Sequence, residues 1–203
     1  MIVWLSVSYQ CHTAALAQTN FQTSEAFVKS IVSGKDNLTV EAKGDLNNDG
    51  LEDWAGVIYR DKPNFGSTYQ LYVLLRQKSG DYHLAEKSLE ETIPGMGCCW
   101  VEDLQIKGSS IYIQQNAKTA STMEAATHQF KMHQRQWRLI GVRIYYLDHV
   151  ADTSTETDMN LLTGLVIEKK QKGERNPTTK KSKRKFGLHL LKDFNFLNGF
   201  GVE

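Results

Sequence analysis

In the run Gly44-Asp45-Leu46-Asn47-Asn48-Asp49-Gly50-Leu51-Glu52-Asp53, Asp45, Asn47, Asp49 and Asp53 stand at positions one, three, five and nine of a loop counted from Asp45, with Gly50 at position six. This is the spacing of a D-x-[DN]-x-[DN]-G calcium loop. A hard cation takes about six to eight oxygens, and alternate residues of a tight loop turn theirs inward. Leu51, at position seven, offers its backbone carbonyl. Gly50 permits a turn that a side chain would resist. Position twelve is Gly56, so the bidentate glutamate of an EF-hand is absent. The run Trp54-Ala55-Gly56-Val57-Ile58-Tyr59 after the loop favours a strand over a helix. The chemistry expected here is Ca2+ on Asp45, Asn47, Asp49, Leu51 and Asp53, held weakly for want of the twelfth-position ligand. The competing expectation is an Asx-rich hairpin turn with no metal, because Asn, Asp and Gly favour turns by themselves.

Strand, Asp-rich loop, strand over Leu38 to Lys87 resembles a single copy of the FG-GAP and VCBS-type repeats of secreted β proteins. The resemblance rests on Gly44 to Asp53 as quoted, followed by Tyr69-Gln70-Leu71-Tyr72-Val73-Leu74-Leu75. In those repeats the acidic loop carries calcium and the repeats stack as propeller blades. The resemblance therefore implies a metal-ligand role for Asp45, Asn47, Asp49 and Asp53.

Other residues with chemical potential are scattered. Cys98 and Cys99 are adjacent, in Pro94-Gly95-Met96-Gly97-Cys98-Cys99-Trp100. In an oxidising compartment they form a strained vicinal disulfide, remain as two buried thiols, or crosslink to another chain. Trp100, beside this glycine-rich loop, is either a core anchor or an exposed binding residue. Residues 169–185 hold nine Lys or Arg in seventeen positions, against one Glu. Lys180, Lys181, Lys183, Arg184 and Lys185 form its densest part. It reads as a solvated, mobile hairpin tip or as a patch for an acidic partner. No aromatic residue is interleaved within it, so base stacking has no support and nucleic acid is not an expected partner. His128 and His133 are five apart and fall on opposite faces of a strand, a poor metal pair. There is no G-x-S-x-G elbow, no H-E-x-x-H and no phosphate loop. Glu90-Glu91 and Glu102-Asp103 are acidic pairs at the two ends of one loop, the only hint of a glycosidase dyad.

The elements that must position these residues read as mainly β. The 203 residues carry a formal charge of +1 and are 40% hydrophobic, enough for an ordinary core with no global pull toward polyanions. Residues 1–8 are apolar and uncharged, and Ala15-Leu16-Ala17 precedes Gln18 as an A-x-A site. This predicts a signal peptide over 1–17, without the usual basic n-region and without a lipoprotein box, and a domain over 18–203 with no transmembrane segment. The alternative for the apolar start is a buried N-terminal strand. Ser24–Val32 predicts one amphipathic helix, capped by Ser24 and ended by Gly34. Period-two runs predict strands at Leu38–Lys43, Asp53–Arg60, Tyr69–Gln77, Tyr82–Ser88, Val101–Lys107, Ile111–Gln115, Ala126–His133, Trp137–Tyr146, Asn160–Lys169 and Phe186–Phe196. The expected fold is an antiparallel sandwich or strongly twisted meander sheet with one N-terminal helix. The expected function is an exported, periplasmic or secreted non-enzymatic binding module for a protein or cell-envelope ligand, stabilised by calcium. The alternatives are an immunity-type inhibitor of an envelope-targeting toxin, with the basic or Cys98-Cys99 loop as plug, and an envelope hydrolase.

Overall fold

Strands β3 (Asp53–Lys62) and β4 (Gly66–Arg76) are apolar on both faces, and this decides the layering. Side chains alternate across a strand, so Ala55, Val57, Leu71, Val73 and Leu75 point one way and Trp54, Ile58, Tyr72 and Leu74 the other. The two sets belong to two separate cores. A sheet buried on both sides must be covered twice.

The structure, a computed structural model, describes residues 20–62, 66–93 and 99–196. The chain folds into two antiparallel sheets. The first has the order β1 (Asn20–Phe21), β5 (Tyr82–Lys87), β4, β3, β2 (Asn37–Gly44), and β6 (Glu91–Ile93) also pairs with β4. The second is a seven-stranded meander in exact reverse chain order: β13 (Thr178–Lys183), β12 (Leu165–Lys172), β11 (Thr153–Asn160), β10 (Gln136–Asp148), β9 (Thr122–His133), β8 (Ser110–Lys118), β7 (Cys99–Lys107). Between the sheets lies the larger core, where Leu71 and Val73 meet Leu104, Ile111, Ile113, Phe130, Trp137, Leu139 and Val142. The chain is thus mainly β, a sandwich that has, among the described residues, one α-helix laid on its outside. Among the described residues no helix is long and apolar enough to cross a membrane.

That helix, α1 (Ser24–Ile31), covers the outer face of the first sheet. Phe27 packs edge-on against Phe21, Trp54 and Tyr72 at ring-centroid distances of 5.1, 5.9 and 5.3 Å. The cap is Thr23, whose Oγ1 accepts from the Ala26 N–H at 3.1 Å, so the start differs by one residue from the predicted Ser24; Ser24 is buried inside the first turn. Arg60 holds the other end. Its Nη1 donates to the Ile31 carbonyl at 2.8 Å and to Asp36 at 3.1 Å, and its Nη2 donates to the Tyr72 hydroxyl at 2.8 Å. Gly56 gives the Trp54 indole its place, since a Cβ there would lie 2.2 Å from the ring.

Two sequence expectations near the C-terminus are corrected. Asn160–Lys169 is not one strand: Leu161–Gly164 is a turn between β11 and β12. Phe186–Phe196 is not its partner. That segment is an irregular strap with a short 3-10 turn at Leu191–Asp193, joined to β10 by the Leu139 N–H donating to the His189 carbonyl at 2.9 Å. Leu191, Phe194 and Phe196 fill the end of the sandwich, with Phe194 against Phe130 and Phe196 against Tyr69. Their spacing of three and two fits neither side of a strand.

Candidate functional site

The Asp-rich loop joins β2 to β3 and sits where the two sheets meet. Edge strand β2 runs against edge strand β7, and Gly44 permits the approach, because a Cβ there would lie 2.7 Å from Cγ2 of Ile106. The loop's middle is tied across the junction: Ser109, in the β7–β8 turn, donates to Oδ1 of Asn48 at 2.5 Å. Leu46 turns inward and is 1% exposed. Gly50 has φ +81° and Asn48 φ +62°, the left-handed conformations the turn needs.

Within the loop the side-chain oxygens accept from backbone N–H groups. Asp45 takes the N–H of Asp49 at 3.2 Å and of Gly50 at 2.9 Å, one on each oxygen. Asn47 Oδ1 takes the Asp49 N–H at 3.0 Å, and its Nδ2 donates to Asp49 Oδ2 at 2.9 Å. Asp49 Oδ1 takes the Leu51 N–H at 2.8 Å. These are Asx turns nested in one another. They meet the carboxylate charge with oriented N–H dipoles, which offsets the repulsion three acids in one loop would otherwise create.

Asp53 is different in kind. It is fully buried at the start of β3, its Oδ2 accepting the Leu46 N–H and its Oδ1 the Arg76 N–H, each at 2.8 Å. It thereby pins the loop to β4. Burial pushes its carboxyl above the usual range; the two N–H bonds oppose that, and the charges of Asp49 and Asp45 add to it. The structure therefore brings Asp45, Asn47, Asp49 and the backbone of Leu51 into one turn, with Asp53 behind them as an anchor to the sheet.

The donor set suits a hard cation in kind, since it is all oxygen. Among the described residues, no three acidic, histidine or cysteine side chains converge on a common point. A cation here would rest on Asp45 and Asp49, completed by the Asn47 amide oxygen, the Leu51 carbonyl and water.

The basic run becomes part of the second sheet. Its residues form the outer half of β12, a turn at 173–177, and β13, the far edge strand. A strand sends neighbours to opposite faces, so the charges divide. Lys169, Lys181 and Lys183 share the outer face with Arg143, while Lys170, Lys172 and Lys180 lie on the other side. Lys169 pairs with Glu156 at 3.1 Å and Lys170 with Glu168 at 3.3 Å. Arg184 and Lys185 follow β13, exposed. Trp100 is on β7, at the opposite edge of the same sheet, so the fold does not bring it to the lysines. It is half-buried and its Nε1 donates to Glu102, which also accepts from Asn116 Nδ2 at 3.3 Å. Cys99 opens β7, half-buried; Cys98 lies outside the described residues, as do residues 1–17, where a signal peptide is expected, and the Gly-rich loop before the cysteines. Of the acidic pairs, Glu90 faces Arg60 at 3.6 Å, and Asp103 accepts from the Leu104 N–H at 2.9 Å.

Sequence reasoning passed over the outer face of the seven-stranded sheet. Asp103, Gln114, Thr127, Arg143 and Asp158 form one cross-strand row on it, and Gln105, Tyr112, Gln129 and Gly141 the next. The missing side chain at Gly141 leaves a shallow depression of about 320 Å³, walled by Tyr112, Thr127, Gln129, Arg143 and Asp158. Arg143 donates to Asp158 at 3.0 Å and stands 3.7 Å from Glu156. The signal was present as the polar half of each alternation, but polar positions carry no mark separating a binding face from a merely wet one. No family model, curated protein or solved structure matches this chain.

Proposed function

We propose that this chain is an exported, non-enzymatic binding module whose ligand-facing surface is the outer face of the seven-stranded sheet, with the Asp45–Asp53 loop as a calcium-stabilised brace at the sheet junction. The observation that carries the reading is the depression over Gly141. It is lined by an aromatic ring, two uncharged polar side chains and an Arg143–Asp158 pair, on rigid strands. That mixture suits a polar protein or envelope surface, since specific sites combine apolar contact with a few placed polar groups. Export rests on the apolar start and on Ala15-Leu16-Ala17.

The test uses the mature protein immobilised against an extract of its own cell envelope, beside the double variant Tyr112→Ala, Arg143→Ala. The double variant should melt within a few degrees of the wild type, because both side chains face outward. A component retained by the wild type and lost by the variant supports the reading. Equal retention by both proteins, or none by either, overturns it. N-terminal sequencing of the secreted form checks export: cleavage should place Gln18, or a residue close to it, first.

A further inference from the structure

The seven-stranded sheet ends at β13, and among the described residues no further strand pairs with it. All of Thr178–Lys183 is exposed except half-buried Ser182. The Arg184 N–H donates to the Gly164 carbonyl at 2.8 Å, which sets the phase of the hairpin. With the register Val166↔Ser182 and Glu168↔Lys180, the even-numbered residues turn their backbone groups toward β12. The N–H and C=O groups of Thr179, Lys181 and Lys183 therefore point away from the sheet, to solvent. An unpaired edge of this kind is a template for one more strand.

We propose that β13 is a docking edge for an extended acidic segment of a partner protein, which adds antiparallel or parallel to Thr179, Lys181 and Lys183 by backbone hydrogen bonding. The proposal rests on the binding-module reading and names the partner's chemistry. Charge selects the occupant. Lys181 and Lys183 stand on the outer face, with Lys169 behind them, and Lys180 stands on the other face with Lys170 and Lys172. An added strand is thus flanked by ammonium groups on both sides, and consecutive acidic residues would each meet one. The same lysines disfavour a second copy of this chain, because pairing β13 with β13 sets lysine against lysine. They also disfavour a neutral strand, which would strip water from the lysines without returning a counter-charge. The strand geometry gives the site its register, and the charge gives it its selectivity.

The experiment uses the full chain, isotope-labelled, with three probes: a ten-residue peptide of alternating Glu and Val, the same peptide with its two central valines replaced by proline so that the number of acidic residues is unchanged, and heparin. The expected result is that the alternating peptide binds and slows amide exchange at Thr179, Lys181 and Lys183 by tenfold or more. The proline peptide should bind at least tenfold more weakly and slow none of them. Two variants sharpen the reading. Lys181→Glu, Lys183→Glu should weaken the peptide at least tenfold. Lys181→Pro removes an outward N–H that β12 does not use, and should abolish protection while the melting temperature stays close to the wild type. If the proline peptide and heparin bind as tightly as the alternating peptide, with no exchange protection, the run is only a charged surface and the proposal is overturned. Protection that grows with protein concentration and no peptide would overturn the assigned occupant in favour of self-pairing. Peptide binding must survive Tyr112→Ala, Arg143→Ala; its loss there, with an unchanged melt, would move the site from the edge to the sheet face. Failure of the envelope-capture test alone leaves this peptide result standing, so the two readings are separable.

Discussion

Asp53 has a structural task in the fold that its place in the motif does not announce. Its position nine reads as a ligand, and its two oxygens accept from the N–H groups of Leu46 and Arg76. Asp53→Asn keeps the shape but turns an amide N–H toward one of those donors. We expect a loss of about 1–3 kcal/mol in urea denaturation, the cost of leaving one buried donor unmade. The pH dependence has a definite sign. The folded carboxyl lies above its ordinary value of 3.8, so the folded state holds the proton more tightly than the unfolded one. This group's favourable share is present below the unfolded pKa and is lost as pH rises through the folded value. The wild type should therefore lose stability over that acid window relative to Asp53→Asn, whose curve lacks this component. A wild-type curve parallel to the variant's would show that the buried carboxyl does not titrate there.

At the scale of elements, α1 matters more than its eight residues suggest. Phe27 is 2% exposed and touches three aromatic rings, so Phe27→Ala should cost about 3–5 kcal/mol. Hydrogen exchange should locate the loss at α1 and the outer face of β3, leaving the inter-sheet core with its native protection. The elements also show what could be read from sequence. β3, β4, β7, β8, β9 and β10 were legible because each places alternate apolar residues in a core. β11 (Thr-Ser-Thr-Glu-Thr-Asp-Met-Asn) and β13 (Thr-Thr-Lys-Lys-Ser-Lys) were not, because at the end of the meander only Met159 of these two strands is buried hydrophobic. There the ladder to the previous strand replaces apolar periodicity as the reason to be extended. Phe186–Phe196 failed in the opposite sense: it has the apolar content of a strand, but its side chains plug an end instead of lining a face. The candidate loop was legible residue by residue, since Asx turns are local. The Gly141 depression was not, since it exists only once four strands, β8 to β11, are in register.

On the scale of the whole molecule, the loop is a joint between two sheets. Asp53 ties it to β4 in the first sheet, and Asn48 ties it to the β7–β8 turn of the second through Ser109. A cation at Asp45 and Asp49 would stiffen both connections together, so its effect belongs to global stability and not to a local turn. Millimolar calcium outside a cell could fill a site with Kd of about 10⁻⁴–10⁻³ M. Binding to the folded state alone adds RT ln(1 + [L]/Kd), about 1.4 kcal/mol when calcium is tenfold above Kd. Thermal melts in calcium and then in chelator should show a single transition that moves upward with calcium. The shift should disappear in Asp49→Ala. Ser109→Ala cuts the tie without touching a ligand, so it should keep calcium binding by calorimetry while lowering the melting temperature of both forms. Exchange protection gained on adding calcium should then extend in the wild type to residues 108–110, and in Ser109→Ala stop at the loop itself. If chelator leaves the wild-type melt unchanged and calorimetry finds no heat at millimolar calcium, the loop is closed by its N–H bonds alone, and the brace works without a metal.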